Sequence, residues 1–224
     1  MLGASQDLAG SLMEDGTVSF DDIAAAQVGL AGHVRETPVW PFRVSSPGLD
    51  TDLLLKCEHM QVTGSFKIRG ALNFVHNLDD ASAQRGLVAM SAGNHAQGVA
   101  YACAFLKVNG EIFMPVATPN QKIEKVRRFG GEYVTIQLIG ETYDEAAEAA
   151  RECVERTGSV SIPPFDDMDI IAGQGTVGKE IIEEIGDKID TVVAAIGGGG
   201  LMSGVASYLK SRNPAIRMVG VEPD

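Results

Sequence analysis

Aromatic residues make up only 6% of this 224-residue chain, and cysteine is scarcer still. Cys57, Cys103 and Cys153 are odd in number, far apart and without C-x-x-C spacing. That excludes a disulfide framework or a cysteine zinc site and fits a reducing, cytoplasmic setting. Basic residues are also few: 18 Lys and Arg against 30 Asp and Glu leave a net charge of −12, a field that repels nucleic-acid backbones and anionic membranes. Neither partner is expected. His33, His59, His76 and His95 show no ligand spacing, which leaves metal binding through histidine without support. No apolar run can span a bilayer, and the first 20 residues are acidic and polar without a signal or transit pattern, so a soluble protein is expected.

Glycine, by contrast, is abundant at 26 residues and clusters at turns, as tight strand-to-helix connections require. Residues 1–18 read as a loose arm and 20–34 as a helix, with Pro38 blocking its continuation. Apolar strands are expected at 53–57, 87–90, 112–114, 133–138, 191–196 and 216–221. Helices are expected through Leu106, at 120–129, 142–156, 176–185 and 201–211, with Pro163 and Pro164 interrupting the series. Alternation of this kind predicts the α/β class, with doubly wound, mostly parallel sheets covered on both faces. The chain stops just after a strand where such a sheet would go on, so it reads either as a small α/β protein or as a larger one that ends early.

Three stretches carry chemistry. In residues 63–71, Gly64 and Ser65 read as a turn and an N-cap, with Phe66 and Lys67 in the first helical turn. An ammonium beside the positive end of a helix, if also desolvated, tends towards the neutral nucleophilic amine; the alternative is a solvated surface lysine. Gly197, Gly198, Gly199 and Gly200 follow a strand and open a helix, where backbone N–H groups hold an anion such as phosphate. The dinucleotide fingerprint fails there, because its third glycine falls on Met202 or Ser203. Residues 173–180 keep Walker A spacing through Lys179 but put Glu180 where a hydroxyl must hold Mg²⁺, which argues against ATP. Residues 91–95 form a second glycine turn, with Ser91, Gly93, Asn94 and His95 suited to a carboxylate or, equally, to a helix cap around a buried histidine. Lys122, Lys125, Arg127 and Arg128 read as a solvated helix face.

A phosphate cradle, an activated lysine and a carboxylate loop are together what a pyridoxal phosphate enzyme acting on an amino acid requires. The chain resembles the fold type II (tryptophan synthase β-subunit-like) pyridoxal phosphate enzymes, and within them the threonine ammonia-lyases (threonine dehydratases). The resemblance rests on T-G-S-F-K-I-R-G-A at 63–71, S-A-G-N-H-A-Q-G at 91–98, M-P at 114–115, P-P-F-D-D at 163–167, I-A-G-Q-G-T at 171–176 and G-G-G-G-L at 197–201.

It implies Lys67 as the Schiff-base lysine, Phe66 against the cofactor ring and Asn94 on the ring hydroxyl. Gly197, Gly198, Gly199, Gly200 and Leu201 would hold the phosphate, and Ser91, Gly93, Asn94 and His95 the substrate carboxylate. It further implies a large domain formed by 1–85 and 164–224, incomplete as it stands, around a smaller mobile one at 86–163. A homo-oligomer, a place in amino-acid metabolism such as isoleucine biosynthesis, and a mono- or divalent cation with Glu222 as first ligand are also implied. The expected reaction is β-elimination from L-threonine or L-serine to 2-oxobutanoate or pyruvate and ammonia. The alternatives are a serine racemase-like enzyme or another fold type II amino-acid lyase and, from another class, a non-catalytic truncated fragment. Similar racemases carry a second serine where this chain has Ala92, which points away from racemisation. The family's Ser or Cys partner of the pyridine nitrogen has no counterpart among these 224 residues.

Overall fold

The computed structural model describes residues 17–42, 52–186 and 188–223. The arm expected at 1–18 lies almost wholly outside them. Helix α1 (Phe20–Leu30) starts with a capping box, in which the Ser19 hydroxyl accepts the Asp22 N–H and the Asp22 carboxylate accepts the Ser19 N–H. It ends four residues before the expected 34. Strand β1 (Val39–Phe42), which was not expected, pairs antiparallel with β2 (Leu53–Lys56). Pro41 masks β1 in the pattern and is tolerated because a two-stranded sheet is all edge.

Helix α2 (Lys67–His76) buries Ile68, Leu72 and Val75 along one stripe and Arg69 beside them. Phe66 takes the cap position with no side-chain cap. The Ser65 hydroxyl, expected as the N-cap, is instead buried without a partner, as is that of Thr63. A short helix, α3 (Asp80–Arg85), follows.

The chain then builds a four-stranded parallel sheet from β3 (Leu87–Met90), β4 (Gly110–Met114), β5 (Val134–Leu138) and β6 (Val160–Ser161), in the order β5-β4-β3-β6. Helices α4 (Asn94–Leu106), α5 (Asn120–Gly130) and α6 (Tyr143–Thr157) connect these strands. The period of two divides the side chains cleanly: Leu87, Ala89, Ile112 and Met114 join the cluster that contains Val99, Ala102 and Cys103 of α4, whereas Val88 and Phe113 pack with Ala150 and Cys153 of α6. The sheet is therefore covered on both faces, as expected. Its order reverses beside β3. The chain first winds outward to β5 and then returns through α6 to β6 on the other side, leaving a crevice beyond the carboxyl ends of β3 and β6.

Helix α7 (Met168–Ile185) begins eight residues before the expected 176, capped by Asp167, whose carboxylate accepts the Asp169 and Ile170 N–H groups at 2.9 and 3.2 Å. Its glycines lower helix propensity but permit contact. A Cβ on Gly173 would lie 2.6 Å from both the Arg69 carbonyl oxygen and the Gly70 Cα, so only glycine lets α7 cross α2 this closely. The Walker-like residues 173–180 thus lie within a helix, mostly buried, with their N–H groups committed to helical bonds. Strands β7 (Thr191–Ala195) and β8 (Arg217–Val221) form a parallel pair joined by α8 (Gly200–Arg212).

Candidate functional site

Helix starts divide into two sets. Ser19, Asp79, Thr142 and Asp167 cap α1, α3, α6 and α7 through their side chains, whereas α2, α4, α5 and α8 have none. Uncapped first turns leave N–H donors and the positive end of the dipole available to a ligand. Three of the uncapped starts carry the lysine, the 91–95 turn and the tetraglycine.

Lys67 is the first residue of α2. Burial draws its pKa below the ordinary lysine value. Its Nζ donates to the Pro164 carbonyl and lies 5.5 Å from the centroid of the Phe66 ring and 5.9 Å from that of Phe165. Helix α4 comes up against this point. A Cβ on Gly98 would stand 3.0 Å from the Lys67 carbonyl oxygen, so the glycine one turn into α4 lets that helix pack on the backbone of Lys67, whose charge is felt at His95.

His95 is 4% exposed, with Nε2 3.2 Å from the Ile162 carbonyl oxygen. Since a carbonyl can only accept, Nε2 carries the proton. Burial first, then the charge of Lys67, lowers the His95 pKa to about 4 against the opposing backbone hydrogen bond. The ring is therefore neutral at physiological pH and its Nδ1 is an acceptor. A carboxylate can be received here through the His95 backbone N–H and not through its ring.

Residues 162–165 leave β6 at the sheet's reversal point and link the parts: Ile162 meets His95, Pro164 meets Lys67, and Phe165 meets the tetraglycine. A Cβ on Gly198 would lie 2.2 Å from the Phe165 ring, and one on Gly200 would lie 2.8 Å from its carbonyl oxygen. These two glycines are needed to admit Phe165, while Gly199 adopts the left-handed conformation (φ +85°). Gly197 and Gly93 have no heavy atom within 4 Å of where a Cβ would sit, so both turns face open space. Leu201 and Phe66 pack against one cluster that includes Val177 and Val205.

In the second turn, the Ser91 N–H donates to the Phe113 carbonyl and the Ser91 hydroxyl accepts the Gly93 N–H at 3.2 Å. A cavity of about 320 Å³ adjoins it, lined by Gly93, Asn94, Gln97, Gln121, Lys122 and Lys125. The basic run is exposed, as expected of a solvated face, and two of its members, Lys122 and Lys125, also border the turn. Glu222 lies exposed beyond β8, away from any metal-ligand cluster: among the described residues no group of three or more His, Cys, Asp or Glu side chains gathers to hold an ion.

The contacts of Pro164, Phe165 and Tyr143, and a buried ion network under α2, were not legible in the sequence. Arg69, fully buried, donates from Nε and Nη2 to Glu58 at 2.9 and 2.7 Å and from Nη1 and Nη2 to Glu180 at 2.6 and 2.9 Å; Lys56 meets Glu180 at 2.7 Å. Burial alone would lower the Arg69 pKa, but its bonds to the two carboxylates raise it above the ordinary value. Lys56 also lies 3.9 Å from the more exposed Glu184, so two cations face three carboxylates. Removing one partner from such a buried set typically costs about 3–5 kcal/mol. The available signal was Arg69 itself, in register with the apolar stripe of α2.

Residues 30–224 match the protein family described as pyridoxal-phosphate dependent enzyme. The chain is 45% identical over 208 residues to the biosynthetic L-threonine dehydratase of Halalkalibacterium halodurans, covering 93% of this chain and 50% of that protein. Among solved structures, maize serine racemase is similar with a TM-score of 0.84 and 38% identity, over 93% of this chain and 62% of that one. Threonine deaminase isoform 2 of Solanum lycopersicum gives a TM-score of 0.82 and 41% identity, over 90% and 54%. The chain thus spans about half the length of the curated relative it matches.

Proposed function

This chain belongs to the pyridoxal-phosphate dependent enzymes, and from that premise we propose that it eliminates the β-hydroxyl of L-threonine or L-serine as water, the unsaturated amine so formed then taking up water to give 2-oxobutanoate or pyruvate and ammonia. The observation that carries the reading is the half-buried Lys67, its pKa lowered, at an uncapped helix start between two further uncapped starts. The residues suit the cofactor. Gly197 faces open space beside the free N–H groups of α8, and a neutral amine at Lys67 is the form that condenses with an aldehyde.

In this reading Gly197, Gly198, Gly199, Gly200 and Leu201 hold the phosphate, Phe66 flanks the ring and Asn94 bonds its hydroxyl. When bound, the cofactor supplies an electron sink for the carbanion left when a proton departs from the substrate Cα. Lys67 Nζ accepts that proton. The Pro164 carbonyl orients the amine, and its burial keeps the unprotonated form accessible. The Ser91 hydroxyl and the N–H groups of Asn94 and His95 receive the carboxylate. We further propose residues 86–163, which contain the four-stranded sheet, as the smaller unit that closes on substrate.

The protein mixed with pyridoxal phosphate is expected to gain the absorbance of lysine-bound cofactor and to form keto acid from L-threonine and L-serine. Lys67→Ala is expected to lose both. Absence of the absorbance in the unmodified chain, or its persistence in the variant, sinks the assignment and favours a non-catalytic fragment. A second reading, racemisation, draws on the similarity to maize serine racemase. Ala92 stands against it, since it offers no side-chain proton where those enzymes have serine. D-serine formation at a rate equal to keto-acid formation overturns that argument.

A further inference from the structure

We propose that Tyr143 is a positioning residue for the carboxylate of an amino-acid substrate, acting through the 91–93 turn; this rests on the reading of that turn as the carboxylate receiver. Tyr143 is the first residue of α6, and its backbone is fixed where the Thr142 hydroxyl accepts the Glu145 N–H at 3.2 Å. Its side chain extends from the carboxyl end of β5, past β4, to the turn after β3, where its hydroxyl accepts the Ala92 N–H at 3.3 Å. The residue is 53% exposed, so a small solute can reach it.

The Ser91 N–H is spent on the Phe113 carbonyl, the Ala92 N–H on Tyr143 and the Gly93 N–H on Ser91. Two of the three backbone donors are thus taken up by hydroxyls. A hydroxyl that has accepted an N–H still has its own proton to donate, so Ser91 and Tyr143 each present one O–H. Residues 91–95 contain no cationic group, and the His95 ring offers only an acceptor at Nδ1. Within the turn itself a carboxylate therefore meets only neutral donors, with Lys122 and Lys125 lining the adjoining cavity, and the Tyr143 phenol, by accepting the Ala92 N–H, fixes the backbone that presents them. Tyr143 also ties the turn to α6, on the far side of the sheet's carboxyl edge. Carboxylate binding would then couple those two elements.

The test uses the ¹⁵N-labelled, cofactor-loaded protein and its cofactor-free form in parallel, titrated with L-alanine, which has a carboxylate and no β-hydroxyl to lose. L-Alaninamide serves as the uncharged comparison, and the amide resonances of residues 91–95 are followed. L-Alanine is expected to shift Ala92 and Gly93 saturably, and Tyr143→Phe to weaken its binding about tenfold without changing the response to L-alaninamide or the α6 resonances. Equal L-alanine affinity in Tyr143→Phe and the unmodified protein overturns the proposal for Tyr143 alone. Equal weakening of acid and amide assigns the ring a structural role and also overturns it. No response at 91–95 in the unmodified protein removes the carboxylate turn and Tyr143 together. Cofactor absorbance in the same samples reports on Lys67 independently of all three results.

Discussion

A buried histidine whose Nε2–H is already donated to a carbonyl takes a second proton only at Nδ1, and burial makes the resulting imidazolium costly. His95 is in this position, with a pKa near 4 against about 6.5 in an unfolded chain. Between these values the unfolded state binds the proton and the folded state does not, so stability rises with pH across that window and is lost as pH falls through it. The full difference is on the order of 3 kcal/mol, about 1.4 kcal/mol for each pH unit of separation. Urea unfolding at pH 7 and pH 4.5 should show this loss in the unmodified chain and a much smaller one in His95→Asn. Equal losses in the two proteins refute it. The sequence marked His95 as a candidate but could not give its tautomer, because the deciding partner, Ile162, is 67 residues away. Lys67 was legible for the opposite reason: its place at a helix start is local. The Ser65 cap failed because capping depends on where one hydroxyl points, and Ser65 is turned into the interior.

At the scale of elements, strands 87–90 and the helices of the four-stranded sheet were legible to within a residue or two, since their apolar periodicity is uninterrupted. The start of α7 was not. Gly173 and Gly175 count against a helix by propensity, but burial against α2 and α1 outweighs that local preference. Strand β6, at two residues, is too short to show a period. The same glycines yield a prediction. Gly173→Ala improves intrinsic helix propensity yet drives a methyl into the backbone of α2 at 2.6 Å. A net loss of about 1–3 kcal/mol is expected in chemical denaturation, as for other overpacked contacts. Weaker cofactor attachment should accompany it, because α2 carries Lys67. A neutral or stabilising result means that α7 does not bear on α2 this closely.

On the scale of the whole molecule, the fold class was legible because strand and helix alternate plainly. The order in which strands assemble was not. Nothing in residues 160–161 announces that they return to the inner side of β3, and that return is what carries Pro164 and Phe165 to Lys67 and the tetraglycine. This detour also has a kinetic meaning. The contact between Lys67 and Pro164 closes a loop of 97 residues, whereas the βα units within it are local. Short-range units form ahead of distant pairings, because the entropy of closing a long loop is lost before its contacts compensate. During refolding, helical signal should therefore return first and the absorbance of lysine-bound cofactor should lag behind it; simultaneous recovery in stopped-flow contradicts this order. A nascent chain that has reached α4 has already made its lysine, but that lysine stays unoriented until the segment beyond β6 arrives. The site is thus a late product of folding, whatever the position of its residues in the chain.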